Sequence, residues 1–101
     1  MKTIVFSPKF KKSMKDVRSY KTYRQEELDA ALKTLATGGT LPERMKDHGM
    51  VKQSRSELQG ARVFHLRPDI AVVYRMDETM LEVLNIGKHN KTKLTSSYIR
   101  Q

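Results

Sequence analysis

The side chains of this sequence that suit acid–base chemistry are three histidines and one aspartate: His48, His65, His89 and Asp69. His65 and Asp69 stand four residues apart in RVFHLRPDIAVVY (62–74), where apolar residues alternate and then run together. Imidazole can accept or donate a proton near neutral pH, so histidine suits either role in a proton transfer. Singly, each histidine would more often be a structural or surface residue, but three of them near one predicted sheet favour a shared site.

Two kinds of chemistry fit these residues. Three histidines with Asp69 could supply zinc ligands, but no histidine pair has a tight spacing such as H-x-x-x-H, so the sequence predicts no metal and no cofactor. The alternative is metal-independent cleavage of RNA, in which a 2′-hydroxyl attacks the adjacent phosphate while a base and an acid transfer the protons. The charge that builds on the phosphate needs cations, and the sequence offers these near the histidines: Arg62, Arg67, Arg75 and Lys88.

The composition predicts one basic domain, 1–101. Lysine and arginine total 20 against 11 acidic residues, and the formal net charge is +9. There is no cysteine, which excludes disulfides and thiolate zinc sites. No segment approaches the roughly 20 apolar residues that span a bilayer, and the N-terminus lacks a signal-peptide core, so we expect a soluble cytoplasmic protein.

The positive charge is concentrated at the two ends of the chain. Residues 1–24 hold eight basic residues and one acidic residue, and residues 88–101 hold four basic residues and no acidic one. Such ends favour a nucleic-acid partner, with an acidic protein partner or a merely solvated basic face as the alternatives. The candidate RNA-binding residues are Lys11, Lys12, Lys15, Arg18, Arg62, Arg67, Arg75, Lys88, Lys91 and Lys93.

The N-terminal part of the chain predicts a strand and two helices. TIVF (3–6) is a short strand, and Ser7 with Pro8 begins a helix over about 8–20, because serine caps helices and proline suits the first helical position. The second helix ends at Gly38-Gly39, so the two helices are expected to form an antiparallel pair. Apolar residues at helical spacing mark the buried stripes of both helices: Phe10, Met14 and Val17, then Leu28, Ala31, Leu32 and Leu35.

The second half predicts a β meander of three or four antiparallel strands. After a long polar loop (40–60) with at most a short strand, three β-rich runs follow: ARVFHL, IAVVYRM and MLEVLNI, separated by RPD (67–69) and DET (77–79). Helices on one face of such a sheet make an α+β fold whose other face could be open to a ligand. The first and third strands of a meander lie roughly 10 Å apart, so His65 and His89 could share one concave site.

Alternation along the first strand of the meander assigns its side chains to two faces. Val63, His65 and Arg67 are expected on one face, while Phe64 and Leu66 point to the core. Pro68 and Asp69 are expected to form the turn. The same stretch would then be both a hairpin and one wall of a site.

Three segments together resemble the RelE/ParE toxin superfamily, most closely its YafQ-like branch. They are LPERMKDHGM, ARVFHLRPDIAVVYRM and IGKHNKTKL. The pattern of the branch is L-P, D-H, R-x-x-H-x-x-P-D, an aliphatic strand ending in Tyr, and G-x-H. It is met by Leu41-Pro42, Asp47-His48, Arg62, His65, Pro68-Asp69, Tyr74, Gly87 and His89. With the helical half from FSPKFKKSMK onward, the resemblance covers nearly the whole chain.

The resemblance implies a RelE-like fold and a bacterial type II toxin. Such toxins are small basic ribonucleases that cleave mRNA in the ribosomal A site, and each is neutralised by an antitoxin encoded beside it. The resemblance implies His89 as general acid and His65 or Asp69 as base, with His48 orienting the substrate or sharing the role of base. It makes the cognate antitoxin, mRNA and the ribosome, including its RNA, the expected partners.

The sequence departs from the branch pattern at three positions. Ile70 stands where a large residue is usual, Asn85 where an arginine is usual, and Lys93 where a phenylalanine is typical. The arginine would stabilise the phosphate in the transition state, and Arg75, Lys88 or Lys91 could replace it. The alternative function is a noncatalytic or degenerate toxin-fold module that binds antitoxin or RNA or inhibits DNA gyrase. The three histidines argue against inhibition of DNA gyrase as the function, because the gyrase-inhibiting members of the superfamily lack catalytic histidines.

Overall fold

The computed structural model describes residues 1–49 and 60–88, with only the backbone of Lys88. Its elements, in chain order, are β1 (Thr3–Phe6), α1 (Pro8–Val17), α2 (Gln25–Ala36), a 3₁₀ turn (Glu43–Met45), β2 (His48–Gly49), β3 (Arg62–Arg67), β4 (Ile70–Met76) and β5 (Met80–Lys88). In the described ranges the strands form one sheet in the order β1-β5-β4-β3-β2. Neither helix of these ranges has the length and apolar character needed to cross a membrane. The predicted α+β fold is confirmed.

Helix α1 begins where the sequence predicts. The Ser7 hydroxyl accepts a hydrogen bond from the Phe10 amide at 3.0 Å and donates one to the Leu84 carbonyl at 2.7 Å, so the cap also ties the helix to β5. Pro8 occupies the first helical position. The helix ends at Val17, three residues before the predicted end, and the predicted stripe is buried: Phe10, Met14 and Val17.

Helix α2 buries the predicted apolar stripe against the sheet and ends at Ala36. The chain then turns through Gly38, whose φ of 87° is in the left-handed region that glycine adopts without strain. The Gly38 and Gly39 amides donate to the Leu35 and Thr34 carbonyls, which satisfies the open end of the helix.

The sheet is mixed. Strands β2 to β5 form the predicted antiparallel meander, and β1 pairs in parallel with β5 from Thr3 opposite Met80 to Phe6 opposite Val83. Within the predicted loop 40–60, the 3₁₀ turn and the two-residue strand β2 are present, so His48 lies on an edge strand. Residues 50–59 of that loop, and the predicted polar tail beyond Lys88, lie outside the described residues.

The two faces of the sheet are both partly buried. Phe64 and Leu66 point into the core beneath the helices, as alternation predicts. On the opposite face, five side chains form a second, smaller buried cluster: Ala61, Val63, Ala71, Val73 and Leu84. The expectation that this face is open to a ligand is therefore wrong at its centre.

Candidate active site

The pairing of β2 with β3 brings two of the predicted histidines together. His48 lies opposite Val63, and the imidazole rings of His48 and His65 have centroids 6.3 Å apart and planes 20° from parallel. His48 is exposed and His65 is half-buried. The two rings therefore form a histidine pair at the edge of the sheet, one of them open to solvent.

The orientation of the His48 ring follows from its backbone contact. His48 Nδ1 lies 2.6 Å from the Lys46 carbonyl oxygen. A carbonyl only accepts hydrogen bonds, so Nδ1 must carry the proton that it donates. In the neutral ring Nε2 is then unprotonated, and it is the nitrogen that can accept a proton from a substrate.

Asp69 lies in the turn between β3 and β4, as predicted, and is held by the linker between the helices. The Thr22 hydroxyl lies 3.1 Å from each carboxylate oxygen of Asp69. Thr22 was not identified from the sequence, because the two residues come from distant segments. This hydrogen bond fixes the carboxylate at the rim of the sheet, half-exposed.

Three of the candidate residues predicted from the sequence lie outside the described residues: His89, Lys91 and Lys93. The backbone of Lys88 pairs with Ile70, which directly follows the Pro68–Asp69 turn. Strand β5 therefore ends beside that turn, and the next residue in the sequence is His89.

His65 borders a groove of about 300 Å³, at the lower end of the size range of small-molecule sites. The groove is lined by Glu27, Arg44, Met45, His65, Leu66, Arg67 and Pro68. Arg44 is exposed and is not among the candidate residues predicted from the sequence. Its place in LPERMKDH, shortly before His48, was the available signal.

Three of the arginines expected to bind RNA form ion pairs. Both oxygens of Glu27 accept hydrogen bonds from the guanidinium of Arg67, at 2.9 and 2.7 Å. The pairing register of β3 with β4 shifts between His65 and Arg67, so that Arg67 lies opposite Ile70. The side chain of Arg67 reaches α2. The predicted alternation therefore ends before Arg67, and its charge in the groove is partly neutralised by Glu27.

Arg75 is also paired, at the other end of the hairpin. Its guanidinium lies 2.7 Å from a Glu82 carboxylate oxygen. Ala71 lies opposite His65, and Arg75 stands four residues farther along β4, roughly 13 Å away at strand spacing. The expectation that Arg75 could replace the missing arginine beside the histidines is therefore not supported by its position.

Asn85, which stands where the branch usually has an arginine, is buried. It is 3% exposed, and its Oδ1 accepts a hydrogen bond from the Ser13 hydroxyl at 2.7 Å. A buried amide with a partner is stable where an arginine would bring a charge. Asn85 therefore ties β5 to α1 and contributes no cation.

The third paired arginine belongs to a hydrogen-bonded triangle next to His48. The Tyr74 hydroxyl donates a hydrogen bond to Asp47 Oδ1 at 2.6 Å. The third member is Arg62, whose Nε lies 3.2 Å from the Tyr74 hydroxyl oxygen and 3.2 Å from Asp47 Oδ1. Burial, and then the hydrogen bond to Asp47, raise the pKa of Tyr74 well above its usual value. The hydrogen bond from Arg62 to Tyr74 is the largest cause of the raised pKa of Arg62.

The basic residues predicted on the first helix lie on its exposed surface. Lys11, Lys12 and Lys15 are exposed on α1, and Arg18 is exposed directly after it. Within the part of the chain that the structure describes, no cluster of three or more histidine, cysteine or acidic side chains is arranged to hold a metal ion. Because His89 is not among these residues, the absence of a metal stays a prediction.

The comparison with protein families gives a match over residues 2–93 to the family described as the bacterial toxin of type II toxin-antitoxin systems, YafQ. The chain belongs to the YafQ family. It is a type II toxin of the RelE superfamily, as the resemblance implied. The comparison with proteins of curated function gives no match.

Solved structures of bacterial toxins share the fold. A metal-bound toxin from Helicobacter pylori is 31% identical, with a TM-score of 0.74, over 88% of this chain and 96% of that one. YafQ in the Escherichia coli DinJ–YafQ complex is 24% identical, with a TM-score of 0.73, over 88% of this chain and 94% of that one. YafQ from E. coli strain BL21(DE3) is 23% identical, with a TM-score of 0.71 and the same coverage. At the E. coli identities the likeness concerns the fold alone.

Proposed function

We propose that this YafQ-family toxin is an endoribonuclease that cleaves mRNA in the ribosomal A site without a metal ion. The observation that carries the proposal is the histidine pair: His48 and His65 lie side by side on neighbouring strands, and His65 borders a groove. Two imidazoles in reach of one another suit proton transfers to and from the oxygens of a phosphodiester. The 2′-hydroxyl would attack the adjacent phosphate and expel the 5′-oxygen of the next nucleotide.

The roles of the individual groups follow from their surroundings. Nε2 of His48 is the unprotonated nitrogen of the neutral ring, which suits it to accept the 2′-hydroxyl proton, alone or with His65. Asp69, fixed by Thr22, is the other candidate base. The family resemblance assigns His89 to protonate the leaving 5′-oxygen. The proposal then has a base, at His48, His65 or Asp69, and an acid at His89.

Cations for the developing phosphate charge come from the groove and from α1. Arg44 lines the groove with His65, and Arg67 contributes a charge that Glu27 partly balances. The exposed basic residues of α1 would contact ribosomal RNA, because a helix that carries several lysines binds phosphates without sequence preference. Lys88, Lys91 and Lys93 add three further basic residues in the C-terminal part of the sequence.

The partner that controls the toxin would be a cognate antitoxin. A YafQ of the same fold is found in a complex with DinJ. A net charge of +9 favours an antitoxin that presents acidic and apolar segments. Both the ribosome and the antitoxin would be met in the cytoplasm.

The test is cleavage of mRNA on programmed ribosomes by purified wild type and by His48→Ala, His65→Ala and Asp69→Asn. Each change of a proton-transfer group should slow cleavage by about 100-fold or more, while the thermal midpoint and antitoxin affinity stay near wild type. Lys33→Ala, an exposed change on α2, is the control. Full cleavage by both histidine variants would contradict the proposal.

A noncatalytic module is the second candidate, and two observations favour it. Asn85 supplies no charge, and three arginines near the sheet are balanced by carboxylates. Such a protein would bind antitoxin or RNA without cleaving it, or would inhibit DNA gyrase. Growth arrest without any RNA cut, combined with a defect in plasmid supercoiling, would favour gyrase inhibition.

A further inference from the structure

The described backbone pairing of the segment that carries His48 is short. Within residues 1–49 and 60–88, strand β2 spans two residues and pairs with β3 through His48 opposite Val63 and Gly49 opposite Arg62. Lys46, two residues before His48, has a φ of 49°, a left-handed conformation that costs energy in a residue other than glycine. Such a conformation persists when neighbouring contacts hold it. Side-chain contacts of the neighbouring residues therefore help to hold His48 in position.

One such anchor is Asp47, the residue directly before His48. Its carboxylate side chain is 20% exposed and accepts hydrogen bonds from the Tyr74 hydroxyl at 2.6 Å and from Arg62 Nε at 3.2 Å. Arg62 is itself 43% exposed, so solvent weakens its hold on Asp47. Tyr74 is fully buried in the central strand β4, and its hydroxyl makes the shorter bond.

We propose that Tyr74 is a positioning residue, whose buried hydroxyl holds Asp47 and thereby keeps His48 stacked beside His65. The hydroxyl connects the rigid core strand to the edge segment, and Arg62 closes the triangle from β3. Arg62 thus acts on the site through Asp47. The kinetic part of this inference rests on the proposed RNA cleavage, whereas the geometric part does not.

Tyr74 is suited to this task over the whole physiological pH range. Burial raises its pKa, so the hydroxyl stays protonated and remains a hydrogen-bond donor to the carboxylate. A phenylalanine at this position would fill the same space in the core. The phenylalanine would remove the hydroxyl, so that the remaining partner of Asp47 in the triangle would be Arg62, whose Nε lies 3.2 Å from Asp47 Oδ1.

The test compares Tyr74→Phe with Tyr23→Phe. Tyr23 is also buried, and its hydroxyl also bonds to a side chain, that of Gln25, outside the triangle. Three quantities are measured. Single-turnover cleavage on programmed ribosomes gives the rate at saturating toxin and the half-saturating toxin concentration. The third quantity is the nuclear Overhauser effects between the ring protons of His48 and His65. Both variants lose one hydroxyl, so a merely structural role would affect them alike.

In Tyr74→Phe we expect the saturated rate to fall about tenfold, the half-saturating concentration to change less than twofold, and the ring-to-ring effects to weaken. Tyr23→Phe should keep all three. If Tyr74→Phe keeps the rate or keeps the ring contacts, the proposal is wrong. If the wild type cleaves no RNA, the proposed function fails, and the ring contacts alone decide the role of Tyr74. Should Tyr74→Phe not fold, Asp47→Asn must show the same losses to sustain the proposal.

Discussion

His48 and His65 lie with their imidazole centroids 6.3 Å apart, one on the edge strand β2 and the other on β3. The pair is created by a two-residue strand that emerges from an otherwise polar loop. Each of the three arginines that the sequence placed near the histidines, Arg62, Arg67 and Arg75, forms an ion pair with an acidic side chain. The site therefore combines acid–base groups, of which His48 is exposed, with arginines whose charge is partly balanced by carboxylates.

The Glu27–Arg67 pair should limit the affinity of the groove for RNA. In Glu27→Gln the full charge of Arg67 becomes available to a phosphate, so binding to a single-stranded oligonucleotide should tighten. The slope of log affinity against log salt should steepen by about 0.7. Glu26→Gln, the same charge change at an exposed neighbouring position, serves as the control.

The same substitution has a small effect on folding. Both members of the pair are more than one third exposed, so its loss should lower the free energy of unfolding by at most about 1 kcal/mol. Urea titrations of Glu27→Gln and wild type measure this.

Equal effects of Glu27→Gln and Glu26→Gln on RNA affinity would show that Arg67 does not face the RNA.

Helix α1 should supply a large part of the salt-dependent binding to ribosomes. Replacing Lys12 and Lys15 with glutamine removes two exposed charges from one surface, and the salt slope should become shallower by about 1.4 to 1.8. The matched control replaces Lys21 and Lys33, of which Lys33 also lies in the last turn of a helix. Equal losses in the two double variants would mean that net charge alone, and not α1, governs binding.

The stability of the protein should fall at alkaline pH partly because of Tyr74. The pKa of Tyr74 is raised in the folded state above the usual 10.0, so the folded protein keeps a proton that the unfolded chain releases. This contribution is complete below pH 10 and is lost as the pH rises toward the folded-state value, at up to about 1.4 kcal/mol per pH unit.

Urea unfolding at several pH values checks this expectation. The difference in unfolding free energy between wild type and Tyr74→Phe should be constant from pH 7 to 9 and should shrink above pH 10. Tyr23, whose pKa is also raised, chiefly by burial, remains in both proteins and cancels in the comparison. Parallel curves up to pH 11 would contradict the raised pKa of Tyr74.

The parts of the fold that depend on local sequence were predictable. Ser7 and Pro8 identify the start of α1, and the apolar stripes of both helices identify their buried faces, because helical spacing repeats within a few residues. The turns at Pro68–Asp69 and Asp77–Thr79 follow from composition for the same reason.

The parts that depend on distant residues were not predictable. Nothing local indicates that β1 pairs in parallel with β5, or that Arg67 pairs with Glu27, a residue 40 positions away in the chain. The register shift after His65 also breaks the alternation on which the assignment of Arg67 to a face depended. The histidine candidates came from residue type and family pattern, while the groove and the triangle came from tertiary structure.

The most direct test of the central claim removes one 2′-hydroxyl group from the substrate. The A-site position that the toxin cuts is first identified in an all-ribose message. Ribosomes are then programmed with an mRNA that carries a single 2′-deoxynucleotide at that position. Cleavage is followed with and without EDTA. The claim predicts discrete cutting of the all-ribose message, unaffected by EDTA beyond its effect on the ribosome, and no cutting at the deoxy position. Cutting of the 2′-deoxy message at the same position would contradict attack by the 2′-hydroxyl.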